Sequence, residues 1–546
     1  MSVAALVRIA FAVSFAGSPL FIPLEGGHDR TLYHVAAQGA FWPTGAFDYL
    51  PLYPMALKLI YTLFGPHLWA AAAFGIACDA VATLLIVLIA RRLGAGRLLA
   101  SLAGLLYAFY PLAIVYSCIT MPNTLNALLA VTVAYATLRI PHRRTLSWAA
   151  LGLLAGIAAL GWAAWLLIAV ALVAFWLIAR PMSGPSPLGA VAFLIAFILP
   201  LVPFGVHNTR AEGSFTLLTT HGGFNFYMGN NERATGYPIR IRNFRMTARA
   251  MLEDAHRAAE EAEGRLLSHS EASAWWSAQG KQFWREHPGT AIKRTGRKLL
   301  LFWNRADVDD LRMVEQSRLL TGWFSSPLWP GFFLIGSLGL IGVFRAQNAG
   351  TIRTIALVGM GGLVLYFITA RYRLTLAPLL LALGAAGVGM IWREIYAKKR
   401  IALNIALVLA ATLCVAWPAS IRDVRAVDYY NAAVQLLQAN EVENAIQITR
   451  AGLEIDPTSS DLHHALGSGL YKSGDFLNAA EAFARCAELD PAHPQALYNM
   501  ALSLARAEKY CEASELLANV AQQRPLPANA QKLADELRMI CEKNAQ

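Results

Sequence analysis

Residues 66–90 read PHLWAAAAFGIACDAVATLLIVLIA, an apolar run with one formal charge, Asp79, closed by Arg91 and Arg92. A bilayer core of about 30 Å is crossed by about 20 apolar residues in an α-helix. With no water there, each backbone amide must be satisfied inside its own segment. Working outward, similar runs fall at 3–23, 98–117, 122–140, 146–160, 162–180, 188–206, 327–344, 354–370, 374–392 and 401–418. The runs at 98–117 and 146–160 are short. The first run is also open to reading as a cleaved signal peptide, but no Ala-x-Ala site stands out and a basic leading segment is nearly absent, which favours an uncleaved anchor. Composition agrees: 546 residues, 15% charged, 10% aromatic, mean hydropathy +0.43. The expectation is an all-α membrane protein of about eleven transmembrane helices. Asp79 inside a span costs about 2.5–3.5 kcal/mol on insertion scales. It therefore calls for a partner on a neighbouring helix or a place in a pocket. Gly152/Gly156 and Gly336/Gly339/Gly342 read as helix-packing faces.

Arginine and lysine orient the chain. One set of alternate short loops holds Arg91, Arg92, Arg97, Arg139, Arg143, Arg144, Arg180, Arg345, Arg353, Arg393, Lys398, Lys399 and Arg400. The other short loops, near Ser117–Pro122 and Gly161, hold none. The first set is cytoplasmic on this rule. The outer side then receives loops 24–65 and 207–326 and everything after Ser420. The net charge of +11 belongs to the membrane part, because acidic residues outnumber basic ones from Ala426 onward. Such a distribution suits anionic headgroups and lipid phosphates. No basic stripe with interleaved aromatics points to nucleic acid.

The tail repeats. Pro457, Pro491 and Pro525 are spaced by 34 residues, the period of tetratricopeptide hairpins. Leu466, Gly467, Ala479 and Phe483 occupy the packing positions of the middle unit; Tyr429, Ala433 and Ala445 serve the first, and Met500, Ala501 and Ala513 the third. A single hairpin cannot bury its own apolar face, but a stack can. Residues 1–420 are thus read as a polytopic membrane domain and 426–546 as a C-terminal α-solenoid. The solenoid is either a concave surface for a protein partner or a solubilising or dimerising cap. The six cysteines show no CxxC or Cys/His spacing and read as small buried hydrophobes rather than metal ligands. No P-loop or dinucleotide-binding turn is present, which disfavours a nucleotide-sugar donor.

Loop 24–65 reads LEGGHDRTLYHVAAQGAFWPTGAFDYLPLYPMALKLIYTLFG. Residues 30–40 suit a short surface helix, and Tyr53–Phe64 an amphipathic helix in the interface. Asp29 then stands at the membrane surface beside His28, placed to take a proton from a hydroxyl while a lipid-borne donor approaches.

This loop resembles the first outer loop of membrane glycosyltransferases of the C type: the protein O-mannosyltransferases and the bacterial aminoarabinose transferases. The matching residues are Asp29, Tyr33, Pro51-Leu52-Tyr53-Pro54 and Phe64-Gly65; Arg30 departs from the usual Glu. LLYAFYPLAIVYSCITMPNTL resembles the following two spans, with Asn123 where the family has Glu. PFGVHNTRAEGSFTLLTTHGGFNFYMGNNERATGYP resembles the entry to the large outer loop through Asn208, Gly213, Thr220, Gly222, Gly223, Asn225, Tyr227, Gly229 and Asn230. FWREHPGTAIKRTGRKLLLFWN supplies Pro288, Lys298, Phe302 and Trp303, and ARYRLTLAP supplies Arg371, Tyr372, Arg373 and Pro378.

The resemblance implies transfer of a hexose or pentose from a polyprenyl-phosphate donor to a hydroxyl, with inversion, on the periplasmic face of a bacterial inner membrane. In that reading Asp29 is catalytic. Arg371, Arg373, Lys298 and Arg210 hold the donor phosphate. His28, Tyr33, Tyr53, Asn208, Asn225, Tyr227 and Asn230 line the substrate pocket. No metal or other cofactor is obligatory, although a divalent ion is compatible. The acceptor is a protein reached through the repeats, or lipid A, or a cell-wall glycan. A scaffold on a degenerate transferase body, favoured by Arg30 and Asn123, is the non-enzymatic alternative.

Overall fold

The computed structural model describes residues 1–22, 29–181, 184–238, 241, 244, 248–307, 311, 313–418, 422–491, 493, 495–523 and 528–544. Among them all regular secondary structure is helical. The chain divides into two compact units: Met1–Ala16, Phe21–Leu311 and Phe324–Ala419 form the first, and Gly17–Leu20, Arg312–Trp323 and Ser420–Gln546 the second.

The first unit begins with α1 (Ser2–Ala16), α2 (Asp29–Gln38), α3 (Leu52–Phe64), α4 (Leu68–Arg92), α5 (Arg97–Ala108), α6 (Pro111–Ser117), α7 (Asn123–Thr137), α8 (Thr145–Ala159), α9 (Trp165–Ala179), α10 (Pro187–Ile198) and α11 (Leu201–Glu212). It continues with α12 (Gly222–Gly229), α13 (Ala248–Glu263), α14 (His269–Glu286) and α15 (Pro288–Trp303). Helix α16 (Met313–Thr321) belongs to the second unit. The first unit closes with α17 (Phe332–Arg345), α18 (Gly350–Leu365), α19 (Ala370–Leu374), α20 (Ala377–Tyr396) and α21 (Ile401–Ala416).

Each of the eleven expected runs falls on one or two of these helices. Among the described residues three stretches are long and apolar enough to cross a bilayer: α4, Pro187–Glu212 and α20. A fourth is the pair α5 and α6 if taken as one span broken by a 58° bend. The other apolar helices, such as α8, α9 and α17, are shorter than the about 20 residues a crossing needs.

Two devices hold this unit together. The first is small residues at helix contacts. A Cβ on Gly152 or Gly156 of α8 would stand 2.0 or 2.2 Å from the carbonyls of Phe193 and Phe197 in α10, so only glycine allows that approach. The second is a buried polar staple. Arg8 of α1 pairs with Asp79 of α4, and Tyr107 of α5 donates its hydroxyl to Asp79 at 2.8 Å, all fully buried. Arg8 also donates to the carbonyl of Ala108 at 2.8 Å. The partner that Asp79 demanded is thus an arginine hidden in the first apolar run.

In the second unit, α22 (Arg422–Gln438), α23 (Val442–Ile455), α24 (Ser460–Ser473), α25 (Phe476–Leu489), α26 (Ala496–Arg506), α27 (Tyr510–Gln523) and α28 (Ala528–Asn544) follow one another, each packed on the next. Pro525 lies outside the described residues. Helix α16 packs on α22, where Gln435 donates to the side-chain carbonyl of Gln316 at 2.6 Å. Cys78, Cys118 and Cys486 are buried free thiols, and Cys414 is half-buried. Cys511 and Cys541 depart from the buried-hydrophobe expectation and form a disulfide.

Candidate active site

Asp29 opens α2, so its carboxylate stands at the helix end where unpaired amides favour negative charge. Arg371 donates to Asp29 Oδ2 at 2.8 Å, and the two side chains are only 9% and 17% exposed. Arg371 arrives there because α18 ends at Leu365 and the chain re-enters a short helix at Ala370. The Asn123 side-chain amide, at the start of α7, donates to the Arg371 carbonyl at 2.8 Å and fixes that backbone. The guanidinium lies over the Tyr372 ring, 5.1 Å from its centroid.

Three tyrosines adjoin the pair. The Tyr33 ring lies 5.3 Å from Tyr49 and 5.5 Å from Tyr53. Burial and then the charge of Asp29 push the Tyr33 and Tyr49 hydroxyls above their ordinary range. Both therefore stay protonated and available as donors. Tyr53 is fully packed in the α2–α3 cluster with Leu57 and Tyr61. His221, just before α12, lies 6.3 Å from Tyr49 ring to ring, and both its nitrogens are buried without a partner. Burial lowers its pKa from the ordinary imidazole value.

A second cationic point is built from α12 and α15. Lys298 is 1% exposed and donates to the carbonyls of Tyr366 (3.0 Å) and Gly229 (3.3 Å) and to Asn230 Oδ1 (3.3 Å). All three acceptors are neutral, and burial lowers the ammonium pKa to about 8. The Gly/Asn run forms this cradle. A Cβ on Gly229 would stand 1.7 Å from the Tyr366 carbonyl oxygen, which explains glycine there. Asn230 donates to the carbonyls of Phe226 and Leu365 and accepts from the Trp284 indole at 3.0 Å. Lys298, Asn230, Trp284, Lys281, Arg285 and Leu365 are among the residues lining a cavity of about 370 Å³. Tyr366 and Arg371 are five residues apart, so their Cα atoms lie within about 18 Å.

The remaining expected residues take other places. Arg373 departs from the expected phosphate contact. It is 1% exposed, and its guanidinium donates to the carbonyls of Leu301, Phe302, Asn304 and Ala306 and to Asp307 Oδ1. Asn208 is likewise turned inward: it accepts from the Phe47 amide at 2.9 Å and donates to the Leu218 carbonyl at 2.7 Å. That geometry pins loop 24–65 to α11 and leaves no group for a substrate. Tyr227 packs on Trp276 with ring centroids 4.7 Å apart. Asn225 is half-buried on α12, and Arg210 is exposed in the last turn of α11. His28 lies outside the described residues. Arg30 turns away from Asp29 and donates to the Phe21 carbonyl at 2.9 Å. Among the described residues no group of three or more His, Cys, Asp or Glu side chains could hold a metal ion.

Tyr49, His221 and Asp307 were not singled out in the sequence. Asp307 accepts from Tyr110 (2.7 Å) and Arg373 (2.9 Å), and burial raises its pKa despite the adjacent arginine. The run ADVDD offers three aspartates and no rule to choose among them.

No curated protein matches the chain. A crystal structure of ArnT from Cupriavidus metallidurans bound to undecaprenyl phosphate is 16% identical, with TM-score 0.39, covering 95% of this chain and 79% of that one. The archaeal oligosaccharyltransferase AglB from Archaeoglobus fulgidus, in complex with an inhibitory peptide and a dolichol-phosphate, is 12% identical, with TM-score 0.38, covering 79% of this chain and 57% of that one. Both scores lie below the level at which a shared fold follows. Residues 48–205 match the model of a protein family described as dolichyl-phosphate-mannose-protein mannosyltransferase.

Proposed function

We propose that the chain is a membrane glycosyltransferase of the C type that moves a sugar from a polyprenyl phosphate to a hydroxyl. The observation that carries this reading is the Asp29–Arg371 contact, a carboxylate and a guanidinium brought together from opposite ends of the membrane unit. The family match over residues 48–205 supports it.

Asp29 takes the acceptor hydroxyl proton. The acceptor oxygen attacks the anomeric carbon opposite the phosphate, the carbon–oxygen bond to phosphate breaks, and its electron pair stays on the phosphate. Arg371 and the Lys298 cradle hold that phosphate, and their bonds strengthen as its charge grows. Tyr33 and Tyr49 remain hydroxyl donors for the acceptor or the sugar. Arg373 supports the loop that carries Arg371. One-step displacement inverts the anomeric centre.

The same reading gives about eleven membrane-spanning segments, the site on the outer, periplasmic face of a bacterial inner membrane, and residues 426–546 as tetratricopeptide repeats that recruit a protein acceptor. Loop charge and the 34-residue spacing support these points.

The test uses purified protein in lipid with a polyprenyl-phosphate sugar. Asp29→Asn should abolish transfer while insertion and folding persist. Full activity of that variant overturns the mechanism. Deleting residues 426–546 separates acceptors: a glycolipid acceptor survives the deletion better than a protein one.

A further inference from the structure

The second unit ends in the helical hairpin α27–α28. Among the described residues α27 packs on α26 and on α28. The hairpin's apolar contact is modest: Leu533, Ala534 and Leu537 of α28 share one apolar cluster with Ala513, Leu516 and Leu517 of α27. Elsewhere α28 leaves Met539 and Ile540 exposed and carries exposed ion pairs such as Arg538–Glu542.

Cys511 lies in the first turn of α27 and Cys541 in the last turn of α28. These are the two ends of the hairpin that the chain does not join. Their Cα atoms are 5.0 Å apart, within the range a disulfide spans. Thirty residues separate them in sequence, so the bond closes the hairpin at its open end as the connecting loop closes it at the other. The other four cysteines are free. The cytosol keeps protein thiols reduced, whereas the exterior and the periplasm do not.

We propose that Cys511–Cys541 is a standing disulfide, formed once the second unit reaches an oxidising compartment, and that it locks α28 onto α27. The two thiols give up two protons and two electrons. An oxidised thiol–disulfide oxidoreductase accepts the electrons and leaves as its dithiol. The inference goes beyond the transferase reading and fails separately from it. It also tests the side of the membrane by a route that uses no loop charge.

Cells expressing the full chain are lysed directly into denaturant that contains a maleimide, so that the buried thiols react as well, and the protein is weighed. Four alkylated thiols are expected, rising to six only after reduction, because the chain has six cysteines, four of them free. In Cys511→Ser all five remaining thiols should react without reductant. Six alkylated thiols before reduction, four in Cys511→Ser, or a disulfide-linked dimer would each overturn the assignment. The locking role is read by limited proteolysis in native membranes. The Cys511→Ser/Cys541→Ser double variant should be cut within residues 510–546 at least about tenfold faster than the parent. Equal rates would overturn that role.

Discussion

Arg371 Nη1 donates to Asp29 Oδ2 at 2.8 Å across 342 positions of sequence. Neither residue's local sequence brings it to the other. Asp29 begins α2, and Arg371 follows a turn after α18. Their meeting places a carboxylate beside a cation that can turn to a phosphate. Arg371→Lys keeps the charge and loses the planar fork. We expect it to lower kcat/KM by about 10- to 100-fold, or about 1.4–2.7 kcal/mol, with folding intact. Transfer assays and thermal unfolding of the purified variant check both parts.

Lys298 gives a pH prediction. Its folded pKa, about 8, lies below its ordinary value of 10.5. Between those values the unfolded chain holds a proton that the folded chain has released. This group therefore makes the fold more stable as pH rises through that window. Phosphate binding runs the other way, because it needs the ammonium. Affinity for a polyprenyl phosphate should fall above pH 8 in the parent, and Lys298→Met should remove that pH step while weakening binding at pH 7. Titrations at pH 7 and pH 9 test this.

Gly229→Ala places a methyl 1.7 Å from the Tyr366 carbonyl oxygen, a backbone atom that cannot swing aside. Overpacking of this kind costs about 1–3 kcal/mol. The Lys298 cradle would open with it, so lower thermal stability and weaker lipid-phosphate binding should appear together.

The staple in the helical bundle predicts a sign reversal. Arg8→Met leaves Asp79 buried without its cation, a loss of about 3–5 kcal/mol. Adding Asp79→Leu should recover much of it, since an apolar pair replaces a costly ionic one. Detergent-resistance or unfolding midpoints of the single and double variants decide the matter.

The helical ground plan was legible because apolar runs in a bilayer have only one backbone solution. Asp79 announced that it needed a partner, but Arg8 went unread: a lone arginine among fifteen residues of α1 looks like a tolerated charge. Asp29 and Arg371 could be singled out as charges at the same rim. Arg373 looked equivalent to Arg371, yet the two arginines differ by how many carbonyls fold around them, which sequence spacing does not encode. Asn208 and Asn230 likewise sat in a motif that suggested a pocket. Asn208 ties a loop to a helix and Asn230 builds the cradle under Lys298, because a side-chain amide is as good a partner for backbone as for sugar. Tyr49 and His221 had no signal, since only the tertiary meeting of two loops makes them neighbours.

The five oxygens gathered by the Arg373 guanidinium turn the segment 301–307 and the start of α19 into one anchored piece. Two residues upstream, Arg371 therefore has a backbone that cannot drift. Whatever shuttling it does between carboxylate and incoming anion must be a crankshaft motion of its own side-chain torsions, quick and short-ranged, with the main chain serving as a fixed axle.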